Sequence, residues 1–352
     1  MFVALRDLMA ARGRFLLITL VVTMVALLVS FLSGLTAGLA HQNVSAVESF
    51  PGDTVVFSET GADPSFDSST LSTEQIAAWR DGAGGSATVD PIGISHGKAE
   101  RAGSAPTQAA LFGSDAATFG NRSATEPGSV VLSTGAAKDL GAAAGDTVDI
   151  GAQHFRVTDV RGDDWYSHTP VIWMTLADWQ AASPRAGAAT VLAVSGVADQ
   201  GAVNASANTQ TTPTSDALSA IGSYEAENGS LTLMTVLLFA ISALVIGAFF
   251  TVWTIQRMPD IATLKALGAT SGSLVRDALA QAAIVLAAGV AVGLGITVAA
   301  AALLGDALPF VLGLSTTVVP ALALIVLGLL GAAFALRFLF TTDPLTALGA
   351  GR

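Results

Sequence analysis

No cysteine occurs in the 352 residues, and tyrosine appears only twice. The missing thiols exclude a disulfide framework, a thiolate metal site and a cysteine nucleophile. Charge is scarce as well: Asp, Glu, Lys and Arg make up 12% of the chain, about half the usual share of a soluble protein, while 52% is apolar. Much of the surface must therefore face something other than water, and the membrane is the obvious sink. Basic runs are absent too. With a formal charge of -11 and a pI of about 4.6, nucleic acid is excluded as a partner, because neutralising phosphates takes clustered Lys and Arg.

What the chain does have is long charge-free runs. Four windows lack Asp, Glu, Lys, Arg and His: Phe15 to Ala40, Leu231 to Gln256, Leu279 to Gly305 and Ala307 to Leu336. Each reaches the roughly 20 apolar residues that cross a bilayer's hydrocarbon. The fold class expected is membrane α-helical, with four transmembrane helices and an α+β extracellular domain inserted between the first and second. Spans are placed at 14–40, 231–256, 279–305 and 313–337. The outer domain is placed at 41–213, an extracellular stalk of the second span at 214–230, a cytoplasmic coupling loop at 257–278 and a short outer loop at 306–312. An interfacial amphipathic helix is expected at 1–13, from Phe2, Leu5, Leu8 and Met9, and a cytoplasmic tail at 338–352.

Gly38-Leu39-Ala40 has the pattern of a signal-peptide cleavage site. The apolar core of such a peptide runs about 7 to 15 residues, and this one runs 26, so it is read as a retained anchor. Orientation follows the cation bias of the short flanking segments. Arg6, Arg12, Arg14, Arg257, Lys265, Arg276, Arg337 and Arg352 stand beside only Asp7, Asp260, Asp277 and Asp343, whereas His41 to Ser230 holds 8 cations and 22 acids. Both termini are expected in the cytoplasm and the large segment outside a plasma membrane.

The large segment alternates apolar runs with turn signals. Strands are expected at Thr54 to Phe57, Val89 to Ile94, Ala109 to Phe112, Val130 to Leu132, Thr147 to Ile150, Phe155 to Val160, Val171 to Met174 and Thr190 to Val194. A capping box at Ser72-Thr73-Glu74-Gln75 opens a helix through Trp79, and Thr134 to Leu140 and Leu176 to Ala182 read as helical. Ala181 to Thr214 is loosely patterned. Beyond it, Ser215 is expected to cap a helix holding Ala217, Leu218, Ile221 and Tyr224 and continuing into the second span. Asp216 to Ile255 would then reach about 60 Å.

The loop after the second span carries the most specific pattern. Ile261, Leu264 and Leu267 recur at helical spacing, with Pro259 where a helix can begin and Gly268 where it can end. Gln256-Arg257 through Leu264-Lys265-Ala266-Leu267-Gly268-Ala269 closely resembles the inner-loop signature of FtsX-like permeases of the MacB type. The layout of spans, Val130-Val131-Leu132-Ser133 ahead of Leu140-Gly141 and Gly145-Asp146-Thr147-Val148, and the tail Asp343-Pro344-Leu345-Thr346-Ala347-Leu348 extend the likeness. The resemblance implies a homodimeric permease that works with two copies of a cytoplasmic ABC ATPase. It gives Arg257, Ile261, Leu264, Lys265, Leu267 and Gly268 the role of coupling to that subunit, where ATP and Mg would bind. No Walker A loop occurs in the chain itself, since Gly97-Lys98 lacks the upstream glycine and is followed by Ala99. The domain is smaller than in tripartite-pump members, which argues against docking to an outer-membrane channel.

For cargo, the opening Thr254-Ile255-Gln256 is similar to that of haem-exporting, haem-regulated transporter permeases of Gram-positive bacteria. Lipid, lipopeptide or antibiotic export is the alternative. Haem is a flat amphipathic dianion, so extracting it from lipid takes an apolar cleft and a few oxygen, sulfur or imidazole ligands. On a helix, Tyr224, Glu227, Leu231, Met234 and Leu238 fall within an arc of about 80°, with Glu225 about 100° from Tyr224. The candidate haem-binding set is Tyr224, Glu225, Glu227 and Met234, with Met24 and Phe31 in the first span and Tyr166, beside His168, in the outer domain. The plainer alternative makes the glutamates solvated stalk residues and Met234 and Leu238 packing.

Gly34-x-x-x-Gly38 and Gly289-x-x-x-Gly293 offer either helix packing, a dimer seam, or room for a planar ligand. His41, His96 and His154 have no metal-ligand spacing, and Asp163-Asp164 reads as a turn. Neither HExxH nor GxSxG occurs, so no enzyme is expected. A rival from another class is a transmitter that signals across the membrane through its outer domain.

Overall fold

The computed structural model describes residues 12–85, 87–114, 119, 122–183, 187–305 and 308–336. Residues 1–11 of the expected interfacial helix, the tail motif at 343–348 and Asp306 lie outside them. Two compact units divide the chain, Met1–Gly38 with Ser230–Arg352 and Leu39–Gly229.

Four helices are long and apolar enough to span a membrane: α1 (Arg12–Glu48), α6 (Tyr224–Gln256), α8 (Ser271–Leu304) and α9 (Leu314–Ala335). Among them lies α7 (Met258–Ala266). Glycines set how closely they pack, because small residues let backbones approach and gain dispersion contacts where lipid offers no hydrophobic drive. A Cβ on Gly289 would stand 2.6 Å from Val22, and one on Gly293 would stand 2.8 Å from both Ala26 Cβ and the Thr23 carbonyl. This seam therefore joins α8 to α1 of the same chain. Gly34 and Gly38 are covered as well: their Cβ positions would fall 2.2 Å from the Phe310 ring and 2.0 Å from the Pro309 carbonyl, and the Val311 N–H donates to the Gly34 carbonyl at 3.2 Å. The segment between α8 and α9 thus fills the notch that the spacing left open for a dimer seam or a planar ligand.

The inserted unit is α+β. Its strands are β1 (Thr54–Ser58), β2 (Thr88–Arg101), β3 (Thr107–Gly113), β4 (Ser129–Leu132), β5 (Thr147–Ile150), β6 (Gln153–Val160), β7 (Trp165–Tyr166), β8 (Thr169–Met174), β9 (Val191–Ser195) and β10 (Thr209–Pro213). They pair in the order β10-β1-β9-β2-β3-β8-β4-β6-β5, with β7 on β8. The 14-residue β2 is long enough to serve three neighbours: its first half pairs with β9, its second with β3, and Ala99 to Arg101 also meets β5. Strands β2, β3, β8, β4, β6 and β5 thereby close on themselves around Leu111, Leu132, Phe155 and Ile172. Helices α2 (Thr73–Gly82), α3 (Thr134–Leu140) and α4 (Leu176–Ala182) each start at a Ser or Thr cap, with the Ser72/Gln75 capping box formed in both directions.

Three expectations change. The loosely patterned Ala181 to Thr214 carries, besides the strand expected at Thr190 to Val194 (β9), two elements that were not expected, α5 (Gln200–Ala207) and β10. β10 is polar, TQTTP, so it lacks an apolar signal, yet it pairs along all of β1. α1 does not stop at Ala40, because Val44, Ala46 and Val47 are buried in the core of the inserted unit. The long stalk helix does not form either. Ala217–Ala220 is a short 3-10 turn and Ile221 is extended, since Ala217, Ala220 and Ile221 are drawn into that same core, and α6 starts only at Tyr224.

Candidate functional site

Two clusters carry chemistry, one in each unit. In the first, Trp253 and Thr254 lie in the last turn of α6, Arg257 follows as the N-cap of α7, and Pro259 in the first turn lets α7 begin without a wasted N–H. The helix closes in a Schellman motif: the Gly268 N–H donates to the Lys265 carbonyl and the Ala269 N–H to the Leu264 carbonyl, both at 3.0 Å, with Gly268 at φ 97°. A side chain at that φ would be strained, so glycine fixes where the helix stops. Leu264 is 43% and Leu267 80% exposed. Ile261 and Lys265 are half-buried.

Arg257, expected to couple to the ATPase subunit, also makes contacts inside its own unit. Its guanidinium turns into the unit, with Nη1 donating to Gln281 Oε1 at 2.5 Å and the charge lying 5.1 Å from the Trp253 ring centre. Gln281 is buried and donates in turn to Asp277 at 3.2 Å. Phe15 and Phe250 each meet Trp253 edge-on at 5.9 Å. Arg257 therefore joins α6 to α8, and Trp253 beneath it joins α6 to α1 through Phe15.

In the second cluster, the hairpin from β7 to β8 turns through Ser167 and His168, both at positive φ, 48° and 60°. Their backbone N–H groups donate to the carbonyls of Asn43 and Gln42, at 3.0 and 2.9 Å, on the C-terminal turns of α1. Ser45 adds a second tie, accepting the Trp165 N–H at 2.8 Å, and His41 Nε2 lies 2.8 Å from the Asp163 carbonyl. Glu227, in the first turn of α6, is held from both sides: His168 Nε2 lies 2.8 Å and Asn43 Nδ2 3.0 Å from its Oε2. Asp164 beside this hairpin is no mere turn residue. It is buried, and accepts from Arg122 Nη1 and Trp173 Nε1, each at 3.0 Å. Burial still pushes its carboxyl above the ordinary carboxylate range, against the pull of Arg122.

The residues of the sequence-derived haem set have different surroundings within their own units. Glu225 is exposed, Glu227 half-buried, and Tyr224 packs against the core that holds Ala217 and Ile221. Met234 is 56% and Met24 58% exposed. Phe31 is engaged by Phe310, ring centres 5.4 Å apart. Tyr166 is a core residue, 2% exposed between Phe66 and Phe112 and stacked on His96 at 5.6 Å, so it offers no surface to a ligand. Asn43 and His168 were not foreseen beside Glu227, because Asn43 was placed beyond the end of its helix.

Residues 15–221 match the family model of a MacB-like periplasmic core domain, and residues 232–344 that of an FtsX-like permease C-terminal domain. The protein named putative hemin transport system permease protein HrtB from Staphylococcus haemolyticus is 24% identical over 375 residues, 99% of each chain. Its namesake in Staphylococcus epidermidis is 28% identical over 200 residues, 56% of each, so this chain spans about half the length of that relative. Among solved structures, the periplasmic region of MacB from Actinobacillus actinomycetemcomitans aligns at 14% identity and TM-score 0.35, over 49% of this chain and 94% of that one.

Proposed function

This chain belongs to the family of FtsX-like permeases with a MacB-like core domain, and from that premise we propose that it exports haem from a plasma membrane as one half of a homodimer. It is a permease of an ABC transporter and not itself an enzyme. Energy comes from two copies of a cytoplasmic ATPase subunit, which hold ATP and Mg and receive α7. Haem enters from lipid, and the carboxylates Glu225 and Glu227, with the Tyr224 hydroxyl, supply oxygen ligands to ferric iron. Met234 and Met24 supply apolar, polarisable contact to the porphyrin. Closure of the dimer on ATP binding then disfavours the loaded state, and weak oxygen ligation lets the haem leave outward.

The observation that carries this reading is the exposure of α6. Only 17% of its most apolar window is buried, against 33 to 39% in the other three spans. Leu233, Leu237, Ile241 and Leu244 stand exposed in this apolar helix, and Glu225 and Glu227 stand at its head. A second copy and a lipophilic cargo are the partners such a surface fits. The hemin permeases named above are full-length relatives in one case, which favours haem over a lipid or peptide. A transmitter finds less support: among the described residues, the exposed large apolar side chains all lie at 16–28, 233–267 and 292–334. That leaves the inserted unit without the apolar centre typical of a protein-docking patch.

The test is to purify the permease with its ATPase from cells given haem and record the absorption spectrum. A Soret band is expected, and its absence from a saturated preparation counts against haem as cargo. Orientation has its own test, since the chain has no cysteine. Asp139→Cys should react with an impermeant thiol reagent in intact cells and Gly272→Cys should not; the reverse pattern would invert the topology.

A further inference from the structure

The Ser167-His168 turn is the wrong sequence for its shape. A two-residue hairpin loop with both central residues at positive φ favours Asn-Gly, and a Ser-His pair there is held at a conformational cost. The cost is retained although nothing in strand pairing needs these side chains. What the histidine adds is its contact with Glu227, 2.8 Å from Nε2 to Oε2, while the same turn grips α1 through the Gln42 and Asn43 carbonyls. Asn43, itself buried, donates to the same Glu227 oxygen at 3.0 Å.

From this geometry we infer that His168 is a positioning residue for the cargo carboxylate: it holds Glu227 Oε2, with Asn43, so that the remaining oxygen Oε1 is presented to iron in one orientation. The inference rests on the haem reading and adds to it the residue that sets ligand geometry. His168 acts through Glu227 and does not itself touch the porphyrin. Two donors on one carboxylate oxygen fix the plane of the group and draw charge from it, which weakens the oxygen field at the metal and narrows the angles from which iron can be bound. An unheld glutamate on the first turn of a helix would sample several rotamers and lose affinity to that freedom.

Hemin titration of the full chain in detergent, read by the Soret band and paired with thermal unfolding, tests this. The decisive variant combines Ser167→Asn with His168→Gly, which suits the turn and removes the imidazole. Its unfolding temperature should equal or exceed that of the parent, while hemin affinity falls about 10- to 100-fold, as for other residues that orient a metal ligand, and the band shifts. His168→Gln, whose amide can reach the same oxygen, should recover most of the affinity; His168→Ala should not. If the double variant is folded and binds hemin with parental affinity and spectrum, the positioning role is wrong while the haem reading stands. If the parent chain binds no hemin, the haem reading fails and takes this inference with it.

Discussion

Asp in place of Leu264 or Leu267 is expected to strip the ATPase subunit from the purified complex. Leu267, at the C-cap of α7, is 80% exposed, and Leu264 is 43% exposed at the edge of the unit's own cavity, which Trp253, Thr254, Ile261 and Ala278 also line. Leu267 contributes little burial to the isolated permease, so Leu267→Asp should leave membrane insertion and fold unaffected, whereas Leu264→Asp also gives up the part of that side chain turned to the cavity. Docking would change that account. Losing a buried leucine removes about 1.5 to 3 kcal/mol, and burying an unpaired carboxylate adds several more. At about 1.4 kcal/mol per tenfold, the affinity should fall at least a thousandfold. Co-purification reports it directly, and hemin binding by the permease alone should persist. An intact complex whose ATP turnover still responds to the permease would show that α7 is not the docking element.

The second large effect concerns the head of α6. Glu225→Gln together with Glu227→Gln is expected to abolish or strongly shift the haem spectrum and to make cells haem-sensitive, with the ATPase still bound. Gln keeps the size of the side chain, and at position 227 its amide oxygen can still accept from His168 and Asn43, so the ties to α1 and to the hairpin survive. What disappears is the anionic oxygen that the proposed function assigns to the iron. Tyr224→Phe should shift the band less, since Tyr224 is already half committed to the inserted unit's core. Unchanged spectrum and resistance in the double variant would reduce the two glutamates to helix-end charges.

The four spans were legible because a helix that satisfies its own backbone in lipid needs only length and apolarity, both of which are local. α7 was legible for a similar reason: Pro259 and Gly268 act within one turn of where they stand. The strands of the inserted unit were legible where they alternate or run apolar, and β10 was not, because its TQTTP earns its place from β1, more than 150 positions earlier. The clusters at the two helix heads show the same limit. The sequence nominated Glu227 and ended α1 at Ala40, but only burial of Val44, Ala46 and Val47 carries that helix on to set Asn43 against a glutamate 184 positions away, with His168 closing the other side. Nor does spacing tell what fills a glycine notch. Gly34 and Gly38 accept this chain's own Pro309 and Phe310, a pairing decided by how the helices close on one another and by the steric demand that no cavity be left between them.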